Sequence, residues 1–209
     1  MRVTNRARSY AGQSAEERAA GRRARLVEAA IAVLGEQGES RTTMTAICAE
    51  AGLTERYFYE SFTGRDVALL AALEAVSAEI AAVAVLAIDR ASGEPHERVR
   101  AAIGAVVDLV AREPGKGRIA VVESAANPRL RARRHELTGT FAELVAEEAR
   151  ELYGDDAWPP ARARVHGLVF VAGLSELVAT WLAGELDLTA AEVTDAGSDL
   201  FTAVARRRP

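Results

Sequence analysis

Thr42 to Leu70 reads TTMTAICAEAGLTERYFYESFTGRDVALL, and the spacing within it decides the fold. Met44, Ile47, Cys48 and Ala51 fall at i, i+3, i+4 and i+7, one apolar stripe of a short helix. Thr43 stands before that helix as its N-cap. Gly52 follows it, the residue that takes the left-handed helix-ending conformation without steric cost. Thr54 then caps a second short helix with Phe58 and Phe62 on one side. Two helices joined by a tight turn at Gly52-Leu53-Thr54 form a helix-turn-helix unit. With Leu53, Phe58 and Phe62 turned inward, Thr54, Glu55, Arg56, Tyr57, Tyr59 and Glu60 remain for the outside. The exposed start of such a helix can enter the major groove of duplex DNA, where hydroxyls and an arginine reach base edges. Exposed tyrosines there suit hydrogen bonds to phosphate.

Working outward, the 3.6-residue period recurs almost everywhere and no stretch alternates as a strand does. Residues 1–13 are expected to be a disordered arm. Ser14 and Glu17 form a capping box for a helix whose stripe is Leu26, Ala30, Val33 and Leu34, ending near Gly38. Thr63-Gly64 breaks the chain before a long helix from Arg65 to Arg90. Further helices are expected at Val99–Val110, about Arg118–Ala125, Asn127–Tyr153, Ala161–Ala183 and after the cap Thr189. Gly115-Lys116-Gly117 lacks the rest of a phosphate loop and reads as a turn. The expected architecture is all-α. A three-helix helix-turn-helix domain (14–63) precedes a larger six-helix ligand-binding and dimerisation domain (64–209).

Charge is uneven along the 209 residues, although the net is only −4. Residues 1–25 carry seven arginines against Glu16 and Glu17, whereas Val67 onward holds 16 basic and 21 acidic residues. Only the N-terminal part is therefore expected to meet a polyanion. The one cysteine, Cys48, forms no intramolecular disulfide and lies on the inward stripe of its helix, a small core residue. His96, His135 and His166 are scattered without metal-ligand spacing, so no metal, cofactor or catalytic residue is expected. No signal peptide is read at the start. Val165–Ala183, the most apolar stretch, is interrupted by His166, Ser175, Glu176 and Thr180, so no membrane span is expected and the chain is placed in the cytoplasm.

The quoted run resembles the DNA-binding domain of the TetR family of bacterial transcriptional repressors. The features that carry the likeness are Thr42-Thr43, Ile47, Ala51-Gly52-Leu53-Thr54, Phe58-Tyr59, Phe62 and Arg65, over about residues 22 to 70. The resemblance implies that Thr43 donates to a phosphate and that Thr54, Glu55, Arg56 and Tyr57 sit in the major groove. It further implies that Tyr59 and Arg65 clamp phosphates on either side. Glu55 departs from the basic or small residue usual at its place, and Ser61 from a histidine or tyrosine; both bear on which operator is read.

The helix over Val165–Ala183 is apolar nearly all round and needs burial on more than one face. It is either the centre of one core or covered partly by a second subunit. The resemblance implies the latter, a homodimer built on the last two long helices (about 161–183 and 189–206). The helices between Arg65 and Ala183 would then enclose an effector pocket, with Phe141, His166 and Phe170 as lining or ordinary core. Low charge between Leu69 and Val110 points to an apolar effector. Two readings follow: a ligand-responsive DNA-binding repressor, or an all-helical lipid carrier or enzyme whose N-terminal hairpin is structural. Exposure of Arg56, Tyr57, Tyr59 and Arg65 together separates them.

Overall fold

The computed structural model describes residues 14–123 and 127–207; the expected arm at 1–13 lies outside the described residues. The order is α1 (Ala15–Gln37), α2 (Met44–Ala51), α3 (Glu55–Ser61), α4 (Arg65–Arg90), α5 (Pro95–Arg112), α6 (Pro114–Val121), α7 (Pro128–Tyr153), α8 (Pro160–Leu182) and α9 (Ala190–Ala205). The all-α architecture stands; the described residues hold no strand, only an isolated bridge between Ala157 and Arg206.

Helix ends follow the local chemistry. The Glu17 amide donates to Ser14 Oγ while the Ser14 amide donates to the Glu17 carboxylate, closing the capping box. Thr43 Oγ accepts from the Ala46 amide at 3.1 Å, and Gly52 ends α2 at φ +60°. Thr54 occupies the N-cap of α3 with extended backbone, but its hydroxyl accepts no cap hydrogen bond. Capping by Thr54 is thus positional only. Asn127 and Thr189 cap α7 and α9 as their side chains allow.

One segment departs from expectation. Gly115-Lys116-Gly117 is not a turn but the opening of α6, which spans Pro114–Val121 and starts four residues before the expected Arg118. Proline at the first helical position has no amide to leave unsatisfied, so Pro114 starts the helix rather than ending the previous one. Glycine at 115 has a tertiary cause: a Cβ there would lie 3.2 Å from the Gly35 Cα, where α6 crosses α1.

Two apolar cores organise the molecule. The first gathers Leu26, Ala30 and Leu34 of α1, Ile47 and Cys48 of α2, Phe58 and Phe62 with α3, and Leu69, Leu73 and Val76 of α4. It reaches past residue 63 into α4, and Ile119 of α6 and Leu130 of α7 close it from below. The second combines Val99, Ile103 and Val107 of α5 with Ala149, Phe170, Val178, Val193 and Phe201 of α7, α8 and α9. Helices α4 and α7 run side by side in the same direction: Glu74 pairs with Arg133, and Asp89, fifteen residues on, lies within the field of Glu148. Helix α4 therefore belongs to both halves.

Candidate nucleic-acid interface and ligand cavity

Helix α3 is held by its buried side. Phe58 is fully buried, its ring 5.5 Å from that of Phe62, an anchor that contributes roughly 1.5–3 kcal/mol by burial. The opposite face presents Thr54, Glu55, Arg56 and Tyr59 to solvent, Tyr59 at 60% exposure. Thr43 is exposed at the start of α2, and Tyr57 is half-buried. Ser61 Oγ donates back to the Tyr57 carbonyl and so faces its own helix.

Arginines of α1, which sequence reasoning passed over individually, set this surface. The Arg22 guanidinium lies 4.5 Å from the centre of the Tyr57 ring and 3.5 Å from Glu60. Arg25 donates to the Ala51 carbonyl at 2.6 Å, tying α1 to the end of α2, and Arg23 lies over Phe62. Arg56 Nε donates to Glu60 at 3.1 Å, an exposed i, i+4 pair that DNA could readily replace. The signal was present as the arginine excess of residues 1–25, though only packing assigned it a face.

Arg65 departs from its implied role. Its guanidinium donates to the backbone carbonyls of Thr42 and Glu39 and to the Glu39 carboxylate, rather than standing out towards a phosphate. This is the hub of a polar junction. Glu123, at the end of α6, accepts from the Glu39 amide at 2.9 Å and from Arg118 at 2.8 Å. Asn127 Nδ2 lies 3.3 Å from both Glu39 and Asp66. The loop entering α2 is thus bonded to the elements flanking α6 and α7. Burial pushes the Cys48 thiol upward in pKa, and Glu55 adds to it, as suits an inert core position.

Beyond the junction lies a cavity of about 220 Å³ between α4, α5, α7 and α8. Phe141 and Phe170 line it, while His166 does not: its ring stacks on Trp158 at 4.5 Å, outside the cavity. The wall is apolar except for Ser77, Arg134, Thr138, Glu148 and Ser175. Burial, reinforced by Glu151 and Asp89, holds the Glu148 carboxyl above the usual carboxylate pKa. Among the described residues no group of three His, Cys, Asp or Glu is placed to hold a metal ion.

By length and composition alone α4 and α8 could each cross a membrane, a property that core helices of soluble proteins share. Helix α4 spends its apolar surface on the first core and the cavity. Helix α8 does not: Val165, Leu168 and Val169 are 60%, 43% and 51% exposed, one stripe continued by Ala172. Gly167, by contrast, serves its own chain, lying against the Ala142 carbonyl of α7.

An exposed short helix on a filled helical head, joined by one long helix to a hollow helical body, defines a helix-turn-helix protein with an internal cavity. Comparison agrees. Residues 26–73 match the family described as bacterial regulatory proteins, tetR family. The chain is 34% identical over 82 residues to the HTH-type transcriptional regulator BetI of Brucella abortus, covering 39% of this chain. It spans 41% of that relative's length. The fold matches the fatty acid degradation regulator FadR from Bacillus halodurans with a TM-score of 0.74 at 16% identity, covering 90% of this chain and 97% of that one. It also matches FadR from Bacillus subtilis, solved with stearoyl-CoA, with a TM-score of 0.71 at 16% identity over 85% and 96% of the two chains. Residues 26–73 thus carry the N-terminal domain of the tetR family, and the chain as a whole shares the fold of these regulators.

Proposed function

We propose that the chain is a cytoplasmic, homodimeric transcriptional repressor that binds an operator in double-stranded DNA and is released by a small, largely apolar effector. The observation that carries this is the row Thr54, Glu55, Arg56 and Tyr59, exposed on a helix whose other face is pinned by Phe58. A lipid carrier or enzyme with a merely structural hairpin has no use for it. On this reading Thr43 and Tyr59 hold phosphates, while Thr54, Glu55, Arg56 and Tyr57 face base edges. Glu55 accepts from a cytosine amino group. Arg65 acts by fixing the loop before α2. The α8 stripe at Val165, Leu168, Val169 and Ala172, with α9 beside it, pairs with its copy in the partner subunit.

The mechanism follows from length. A two-fold dimer holds its recognition helices about 34–36 Å apart to enter successive major grooves. Helix α4 spans 26 residues, roughly 39 Å at ~1.5 Å per residue, so a small tilt at the cavity displaces α3 by several ångströms. A ligand fitting only the tilted form lowers DNA affinity by its own coupling factor, and DNA lowers ligand affinity equally. The test is selection of bound sequences from a random DNA pool, followed by titration of the selected duplex at several salt concentrations. Enrichment of a two-fold symmetric site with a steep salt dependence is expected. Recovery of unenriched DNA would refute the reading.

A further inference from the structure

We propose that the cavity takes a small organic monoanion, a carboxylate on a compact apolar body, with the Arg134 guanidinium as the anchor of its charge. This rests on the reading of the cavity as the effector site and adds the chemical class of the effector.

Of the five arginines of α7, Arg134 is the one that lines the cavity. On α7, Arg129 lies 3.9 Å from Asp66, and Arg133 is paired with both Glu74 and Glu136. Arg134 lines the cavity, half-buried, and among the described residues its guanidinium has no carboxylate or carbonyl partner. A cation set into an apolar wall without a partner loses hydration and gains nothing in return. A bound carboxylate would accept its planar pair of N–H donors. Ser77 of α4 is 6% exposed, lines the same cavity and makes no hydrogen bond in the structure. Its hydroxyl supplies a second donor.

The rest of the chamber limits the ligand. Between Arg134 and Glu148 the α7 wall is Leu137, Thr138, Phe141, Leu144 and Val145, and the Thr138 hydroxyl donates to the Arg134 carbonyl, so the wall suits hydrocarbon. At the far end Glu148 stands in the field of Glu151, Asp89 and Glu147, which Arg98 offsets only in part, so a second negative charge there is repelled. That excludes a diacid long enough to span the roughly 21 Å rise of fourteen helical residues. A volume of 220 Å³ equals about seven waters of liquid, smaller than the ~300–1,000 Å³ of ordinary ligand pockets. The body is therefore compact.

Position supplies the link to DNA. The Arg134 end of the cavity is the end nearer the reading head, because the parallel register sets Glu74 against Arg133 and Leu73 belongs to the head's core. A carboxylate drawn to Arg134 lies between α4 and α7 about one turn from that core.

The experiment uses the full chain with three probes of one body, octanoate, octanamide and octylamine, measured by calorimetry and by displacement of the selected DNA. Octanoate is expected to bind about 10- to 150-fold more tightly than octanamide, the worth of one charge-assisted hydrogen-bonding pair, while octylamine, whose charge suits only the Glu148 end, should not respond to changes at Arg134. Arg134→Gln should bring octanoate down to the level of octanamide and leave octanamide unchanged. Arg134→Lys should fall between. Because Arg134→Gln breaks no pair, its helix content and melting temperature should equal the wild type's; if that variant does not fold, the wild-type probe series and Arg134→Lys decide. Equal binding and equal DNA release by octanoate and octanamide would overturn the anion anchor while leaving the effector cavity standing. Binding by none of the three would overturn both.

Discussion

The two cores of this molecule are built to opposite ends. Around Leu26, Leu34, Ile47, Phe58 and Leu69 the first is filled, each of these side chains fully buried, and nothing charged enters it. The second encloses empty space, sets Arg134 and Glu148 in its wall and leaves an apolar stripe of α8 uncovered. Close packing resists deformation, whereas an unfilled chamber has alternative arrangements of similar free energy. On the proposed function the contrast is that of a rigid reading head and a compliant sensor, and α4 contributes to the first core and to the cavity wall. Heads that must match a groove need the first property; chambers that must respond to a ligand need the second.

That contrast can be broken most forcefully at Phe58. Phe58→Ala should cost roughly 3–5 kcal/mol, enough to unfold the head, whereas the second core keeps its helices. Circular dichroism melting should then separate into two transitions with loss of DNA binding; one cooperative transition at an unchanged temperature would contradict the division into two cores. Arg65→Ala should destabilise by about 1.5–3 kcal/mol because two carbonyls and the Glu39 carboxylate lose their donor. DNA affinity should fall, but the slope of log affinity against log salt should stay the same. A slope reduced by about one would show a direct phosphate contact instead.

Smaller effects sharpen the comparison. Gly52→Val places a β-branched residue at φ +60°, at a local cost of about 1–2 kcal/mol, and should abolish DNA binding while dimerisation, read by sedimentation, persists. Ala84→Leu projects into the cavity and should raise stability by about 0.5–2 kcal/mol or leave it unchanged. It should also remove any ligand-induced DNA release; retained release would place the effector elsewhere. The smallest effect concerns pH. The Glu148 carboxyl is held above its ordinary pKa in the folded chain, so folding takes up a proton there and stability falls as pH rises from the ordinary carboxylate range through the raised value. Glu148→Gln should flatten that decline in a pH series of melting temperatures.

Much of the site was legible because helical periodicity sorts faces without knowledge of neighbours. Phe58 and Phe62 fell inward, so Thr54, Glu55, Arg56 and Tyr59 had to face out. The internal partners of Arg65 were not legible: an arginine opening a helix serves a phosphate or an internal carbonyl equally well, and the carbonyls within its reach depend on where Thr42 and Glu39 come to lie. Arg22 and Arg134 were invisible as individuals because each sits in a run of arginines that reads as a solvated face.

The sequence by itself determined the helices, their caps at Ser14, Thr43 and Thr189, the left-handed stop at Gly52 and the outward row of α3. These depend on contacts within about one turn, which the order of residues specifies directly. Tertiary structure alone decided that Gly115 meets Gly35, that Arg65 turns inward and that Arg134 faces a cavity. Those outcomes join residues tens of positions apart, and the partners are fixed only when helices pack. Short-range geometry wrote the reading head; long-range packing made the chamber.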